Sequence, residues 1–137
     1  MKDTKHQGDL AQIEFLYRAM EMGLIVSEPY GDNSRYDFAV DNGKRILRVQ
    51  VKSTTSLCVD RKEQYNVNVG RHIQGNAVAY TKEEIDVMAV LVKPEQRWYL
   101  LTWEELGERV ALKIFGGERG KTGLFGKNLE AWGILLE

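Results

Sequence analysis

The stretch Pro29–Thr55, PYGDNSRYDFAVDNGKRILRVQVKSTT, decides how the chain is read. Two β-type runs, Tyr36–Val40 and Arg45–Ser53, flank Asp41-Asn42-Gly43-Lys44. Asn-Gly between alternating apolar residues is a strong hairpin signal, because the central residues of a type I′ turn need positive φ. Asn42-Gly43 as the loop sets Asp41 opposite Lys44, Val40 opposite Arg45, Phe38 opposite Leu47 and Asp37 opposite Arg48. Paired residues share a sheet face, and faces alternate along a strand. One face then collects Tyr36, Phe38, Val40, Leu47, Val49 and Val51 and belongs to a core. The other collects Asp37, Asp41, Lys44, Arg48, Gln50 and Lys52. There a carboxylate, an amide and an ammonium converge beside an apolar slab.

A polar strand face is ordinarily a solvated surface. Here the polar residues sit in mid-strand, and Gln50 is flanked by Val49 and Val51. Asp37 followed by Gln50-Val51-Lys52 resembles the PD-(D/E)XK nuclease motif, with Gln in the (D/E) position. The surrounding wording resembles the branch that holds Holliday-junction-resolvase-like endonucleases and a group I intron homing endonuclease. AYTKEEIDVMAVLV and RWYLL extend the likeness, which covers roughly residues 8 to 105. The short core motif is weak alone; the flanking phrases in order make it specific.

The resemblance implies an α/β, restriction-endonuclease-like fold, a central mixed sheet flanked by helices. It implies a metal-dependent DNA endonuclease using Mg²⁺ (or Mn²⁺), with Asp37 and Gln50 as metal ligands and Lys52 orienting the attacking water. The family's first helix opens on a Gly-(acid)-x-Ala-Glu phrase whose Glu points at the metal. Here the phrase is Gly8-Asp9-Leu10-Ala11-Gln12. Gln12 replaces that Glu, and Asp9, one turn earlier, is the alternative; Glu14 lies roughly 200° around the helix from Gln12. Asp86, which precedes a core strand, is characteristic of the family but is not a ligand.

The chemistry needs these residue types. Mg²⁺ takes hard oxygen ligands and keeps several waters, so one or two carboxylates suffice when substrate phosphate also coordinates. A lysine beside the site stabilises developing charge. Asp37 supplies one negative charge and Gln50 none, so the site is short of charge unless helix residues contribute.

Composition indicates one soluble, globular domain, residues 1–137. Apolar residues make up 43% and charged residues 28%, and no apolar run reaches membrane-spanning length. The polar N-terminus has no signal-peptide core, and a single cysteine, Cys58, excludes a disulfide framework and a cysteine-rich zinc site. A cytoplasmic, prokaryote-like setting is the expectation. The net charge of −1 argues against a protein that coats nucleic acid nonspecifically.

Elsewhere, residues 3–22 read as a helix whose inner face carries Leu10, Ile13, Tyr17, Met20 and Leu24, ended by Gly23. A short extended segment follows. The loop before Asp37 offers Arg35 to a phosphate backbone, and Ser53 and Thr54 offer hydroxyls. Residues 60–64 read as a charged turn. Tyr65–Val69 reads as a strand with Asn66 and Asn68 on its polar face, suited to base edges or to water. Gly70–Asn76 reads as a loop with Arg71 and His72. Thr81 and Glu84 suit a capping box. Val87–Lys93 and Arg97–Leu101 read as paired strands, and Trp103–Val110 as a helix capped by Thr102. Gly120-Lys121-Thr122 resembles the end of a Walker A loop, but position 115 is Phe and no strand–loop–helix context supports it. Gly116–Gly123 is instead expected to be a flexible basic loop placing Arg119 and Lys121 near DNA. A short terminal element, residues 129–136, docks through Trp132.

One metal centre per chain cuts one strand. Cutting both strands of a duplex or a four-way junction needs two, so a homodimer or higher homo-oligomer is expected on double-stranded or branched DNA. The rival reading is a catalytically weak or inactive DNA-binding module that retains the nuclease fold, favoured by Gln50 and Gln12.

Overall fold

The computed structural model describes residues 4–58 and 63–137. The expected turn at 60–64 lies largely outside them. Helix α1, Thr4–Glu21, leads through Gly23 into strand β1, Ile25–Ser27. The N–H groups of Gly23 and Leu24 bond the carbonyls of Met20 and Ala19. That is a Schellman stop, and Gly23 supplies its left-handed residue at φ +82°. Next come β2, Phe38–Asp41, and β3, Ile46–Thr54, then β4, Gln64–Asn68. Strands β5, Arg71–Ile73, and β6, Asn76–Val78, precede β7, Val87–Val92, and β8, Arg97–Thr102. The chain continues through a helical turn α2, Trp103–Leu106, then β9, Ala111–Phe115, and a turn α3, Arg119–Thr122.

Five strands form a mixed sheet in the order β1-β2-β3-β7-β8. Only the β3–β7 pair is parallel. β7 is buried along its whole length because both sheet faces are covered. On one face α1 lays Ala11, Phe15 and Ala19 on Leu47, Val49 and Val51. Phe15 meets Phe38, Trp98 and Trp132 at ring centroid distances of 5.6, 6.0 and 5.7 Å. On the other face the antiparallel pair β4–β9 packs Tyr65, Val67, Leu112 and Ile114 against Met88, Val90, Tyr99 and Leu101. The architecture is the expected restriction-endonuclease-like one.

Several sequence expectations are corrected. The β2–β3 hairpin pairs Phe38 with Val49 and Val40 with Leu47, two residues away from the expected register. Asn42 does not enter a type I′ turn. Its Oδ1 accepts the N–H groups of Lys44 and Arg45, at 2.8 and 2.9 Å, and closes a longer loop. Its Nδ2 donates to the Leu135 carbonyl at 2.9 Å, so a distant segment helps hold that loop. A slip of two leaves every side chain on its expected face. Tyr36 is the exception: it lies before β2 and packs with the β4–β9 side.

The inner face of α1 is also corrected. Leu10, Ile13, Tyr17 and Met20 are 39, 60, 64 and 60% exposed. The alanines on either side of Phe15 let the helix approach the sheet closely, and they outweigh the larger stripe. Gly70–Asn76 is not a loop but most of the β5–β6 hairpin, turning at Gln74 and Gly75, both at positive φ. The expected helix Trp103–Val110 stops after one turn at Gly107 (φ +63°, ψ −143°), although Thr102 does cap it in a box with Glu105. The following residues form β9. Gly116–Gly123 is not a loose loop: α3 is packed down, and a methyl on Gly120 would lie 2.5 Å from the Phe115 carbonyl oxygen. The terminal element docks as expected, with Trp132 buried. Among the described residues, no helix is long and apolar enough to cross a membrane.

Candidate active site

Asp37 stands one residue before β2. Its N–H donates to the Val49 carbonyl at 2.8 Å. Its Oδ2 accepts the Val51 N–H, also at 2.8 Å. The β2–β3 ladder has ended there, so the side chain takes a backbone donor that a strand carbonyl would otherwise take. Continuing the observed register sets Asp37 directly opposite Gln50, where the sequence placed it diagonally. Gln50 and Lys52 alternate with the core residues Val49 and Val51 and share the face away from α1. In the parallel pairing they flank Met88 and Val90 of β7.

Burial lifts the Asp37 carboxyl above its ordinary range, against the Val51 hydrogen bond and the charge of Lys52, and the charge of Glu28 lifts it further. Burial likewise lowers the Lys52 ammonium, against the pull of Asp37. The two charges therefore feel each other without closing an ion pair. Lys52 Nζ lies 6.0 Å from the centre of the Tyr80 ring. The Tyr80 phenol is pushed up to about 12, chiefly by burial and then by Asp37, so it stays neutral. A neutral ring face beside an ammonium is attractive.

The donor set fits a hard divalent ion. Only Oδ2 of Asp37 is used internally, and the Gln50 amide makes no side-chain hydrogen bond to the described residues. One carboxylate and one amide oxygen suit an ion that keeps most of its waters. No group of three or more acidic, histidine or cysteine side chains among the described residues is placed to hold a metal. Asp9 is exposed and Gln12 half-buried on α1, the helix that covers the opposite face. The carboxylate whose charge reaches Asp37 is Glu28. Sequence reading missed it, because its nearness follows only from the pairing of β1 with β2, Ser27 opposite Ala39.

Of the residues singled out for DNA, Arg35 and Arg71 meet on Glu84, at 3.2 and 2.8 Å. Ser53 is half-buried on β3. Thr54 is buried, and its hydroxyl donates to the Asn66 carbonyl at 2.8 Å, tying β3 to β4. Asn66 Oδ1 accepts from Lys113 Nζ at 2.8 Å, and Asn68 is exposed at the end of β4. Arg119 pairs with Glu63 at 2.7 Å and stacks over Phe115, while Lys121 pairs with Glu118 at 3.3 Å. Both sit on α3, which bonds to Tyr99 of β8, two strands from β3. Asp86 has a clear task apart from metal. It takes the backbone N–H and guanidinium of Arg48 at 2.8 to 3.1 Å, fastening the segment before β7 to β3.

No curated protein sequence matches the chain. Among solved structures it is similar to the bacterial homing endonuclease I-Ssp6803I, with a TM-score of 0.79 and 27% identity over 99% of this chain and 93% of that one. The PD-(D/E)XK endonuclease family model matches residues 2–133. An aspartate, a glutamine and a lysine grouped on one face of a mixed sheet thus agree with the sequence match, and the chain belongs to the PD-(D/E)XK endonuclease family.

Proposed function

We propose that residues 1–137 act as a single-domain, metal-dependent endonuclease that hydrolyses phosphodiester bonds of double-stranded DNA in a homing or restriction-like manner. Asp37 and Gln50 hold Mg²⁺ or Mn²⁺ together with the substrate phosphate. The bound ion supplies charge neutralisation at the phosphate and activation of water. Lys52 orients the attacking water and stabilises the charge that develops. The observation that carries this reading is geometric: the register of β2 on β3 brings Asp37 opposite Gln50, with Lys52 two residues further along the same face of β3.

The metal site is completed by α1, through the Asp9 carboxylate or the Gln12 amide oxygen, or by the Glu28 carboxylate. Single alanine variants at the three positions separate these routes, since only the contributing residue lowers the cleavage rate. Arg35, Arg71, Ser53, Asn66, Asn68, Arg119 and Lys121 lie along the DNA. A second copy of the chain brings the second centre. The exposed stripe Leu10, Ile13, Tyr17 and Met20 supports this, because its 3-4-3 spacing is that of a two-helix seam and the same stripe on a second copy is its complement.

The deciding experiment is Mg²⁺-dependent nicking of supercoiled plasmid and of a four-way junction, with Lys52→Ala as control. Wild type nicking that the control lacks supports the enzyme. Preference for the junction would make it junction-resolving. Binding without cleavage would favour the inactive-module reading, for which Gln50 is the specific observation.

A further inference from the structure

A cluster beside the catalytic pair is not used by the chemistry above. Arg35 comes from the loop before Asp37 and Arg71 opens β5. Both reach one oxygen, Oε2 of Glu84: Arg35 Nε at 3.2 Å and Arg71 Nη1 at 2.8 Å. The other oxygen, Oε1, accepts the Thr81 N–H at 2.9 Å and closes the local turn. The cluster adjoins the catalytic pair, because Arg35 stands two residues before Asp37 in the same loop, and Tyr80, whose ring lies beside Lys52, stands one residue before the 81–84 turn that carries Glu84. An open cleft of about 450 Å³ runs along it, lined by Pro29–Tyr36, Arg48, Glu83 and Glu84.

Two guanidiniums converging on one anionic oxygen reproduce the grip that arginines take on a phosphate. Tying the 81–84 turn to β5 needs one arginine, and Arg71 is well placed for it, its side chain only 20% exposed. Arg35 is 51% exposed, reaches in from a polar loop, and adds nothing to that tie. Glu84 is 17% exposed, so a carboxylate sits where solvent would otherwise meet the arginines.

We propose that Arg35 and Arg71 form a phosphate subsite next to the Asp37–Lys52 centre, and that Glu84 fills it in the free protein as a carboxylate stand-in that a DNA phosphate displaces. This rests on the nuclease reading for the identity of the ligand. The consequence is selectivity. Nonspecific affinity comes from cations that release counterions when they meet phosphates. Glu84 cancels one of the two guanidinium charges, so the paired arginines release fewer counterions than free ones, and a duplex gains in full from them only after its other contacts have placed a phosphate at the subsite.

Glu84→Gln tests this, because the amide oxygen keeps the Thr81 N–H acceptor and the shape while the charge is removed. Binding of a random-sequence duplex is followed by fluorescence anisotropy in EDTA across a salt series. The expected result is roughly 3- to 10-fold tighter binding than wild type, with the slope of log K against log salt steeper by about 1 to 2. Adding Arg35→Gln and Arg71→Gln to Glu84→Gln should abolish the gain. Equal or weaker binding by a folded Glu84→Gln, or a gain that survives loss of both arginines, overturns the proposal. If Glu84→Gln does not fold, Glu84→Ala takes its place with and without the two arginine substitutions, and a slope equal to wild type overturns the proposal. Binding without metal is read independently of cleavage. A nicking wild type with an indifferent Glu84→Gln sinks only the stand-in. A tighter Glu84→Gln in a protein that never cuts sinks only the nuclease reading.

Discussion

Replacing Asp37 in two ways separates its structural bond from its charge. Asp37→Asn keeps an oxygen for the Val51 N–H, now bonded at 2.8 Å, and removes the charge. Asp37→Ala removes both. A half-buried N–H left without a partner costs about 1–3 kcal/mol, so Asp37→Ala should be less stable than Asp37→Asn by that amount. For a chain of 137 residues, at about 4 °C per kcal/mol, this is roughly 4–12 °C in Tm. The charge acts in the opposite direction. Burial holds the folded carboxyl above its unfolded value, so the stability conferred by protonation is fully present below the unfolded value and is lost as pH rises through the folded one. At pH 7.5 in EDTA, Asp37→Asn should therefore exceed wild type in stability, and the gap should close on acidification. The assays are urea unfolding from pH 7.5 to 3, and plasmid nicking in Mg²⁺, which both variants should lack. An Asp37→Ala as stable as Asp37→Asn would refute the structural bond. An Asp37→Asn less stable than wild type at pH 7.5 would refute the dominance of burial. Cleavage by either variant would refute the role in catalysis.

Lys52→Ala should lower the nicking rate by at least about 10²-fold while leaving duplex binding in EDTA nearly unchanged; equal losses in both would make it a binding residue. Gln50→Glu should retain measurable cleavage and bind Mg²⁺ more tightly without DNA, read by metal titration with and without duplex; indifference of metal affinity to the substitution would remove Gln50 from the ligand set. Asp86 titrates with the opposite sign to Asp37: burial raises its carboxyl, but the hydrogen bonds and charge of Arg48 bring it below the ordinary range. Its stabilisation is present above the unfolded value and lost as pH falls through the folded one, so Asp86→Ala should cost about 1.5–3 kcal/mol at pH 7 and progressively less in acid, checked by urea midpoints. Light scattering should give a mass above the 15.7 kDa of one chain, and Ile13→Glu with Tyr17→Ser should reduce it without lowering Tm; an unchanged mass would free the stripe from assembly.

The grouping of Asp37, Gln50 and Lys52 was legible because strand faces have a period of two. Asp37, Gln50 and Lys52 shared a face in the expected register and still share it two residues away. The sequence could not supply that register. The loop is closed by Asn42, and its amide is held by Leu135, a residue far along the chain. The face of α1 was misread for a related reason. Large apolar residues form the stronger periodic signal, but close packing on β3 selects Ala11, Phe15 and Ala19. Hairpin β5–β6 and strand β9 were missed because short strands gain their stability from partners, here from each other and from β4.

By itself, then, the amino-acid sequence determined the alternation that builds a two-faced sheet, the aspartate–glutamine–lysine set on one of those faces, and the caps at Gly23 and Thr102. All of these depend on local geometry. Only the tertiary structure decided that Asp37 stands opposite Gln50, that Lys52 lies beside Tyr80, that the charge of Glu28 reaches Asp37, and that Glu84 joins Arg35 to Arg71. Those contacts link residues brought together by strand pairing and by the folding of distant loops, and burial, which sets the charges of the site, exists only once the whole sheet is covered.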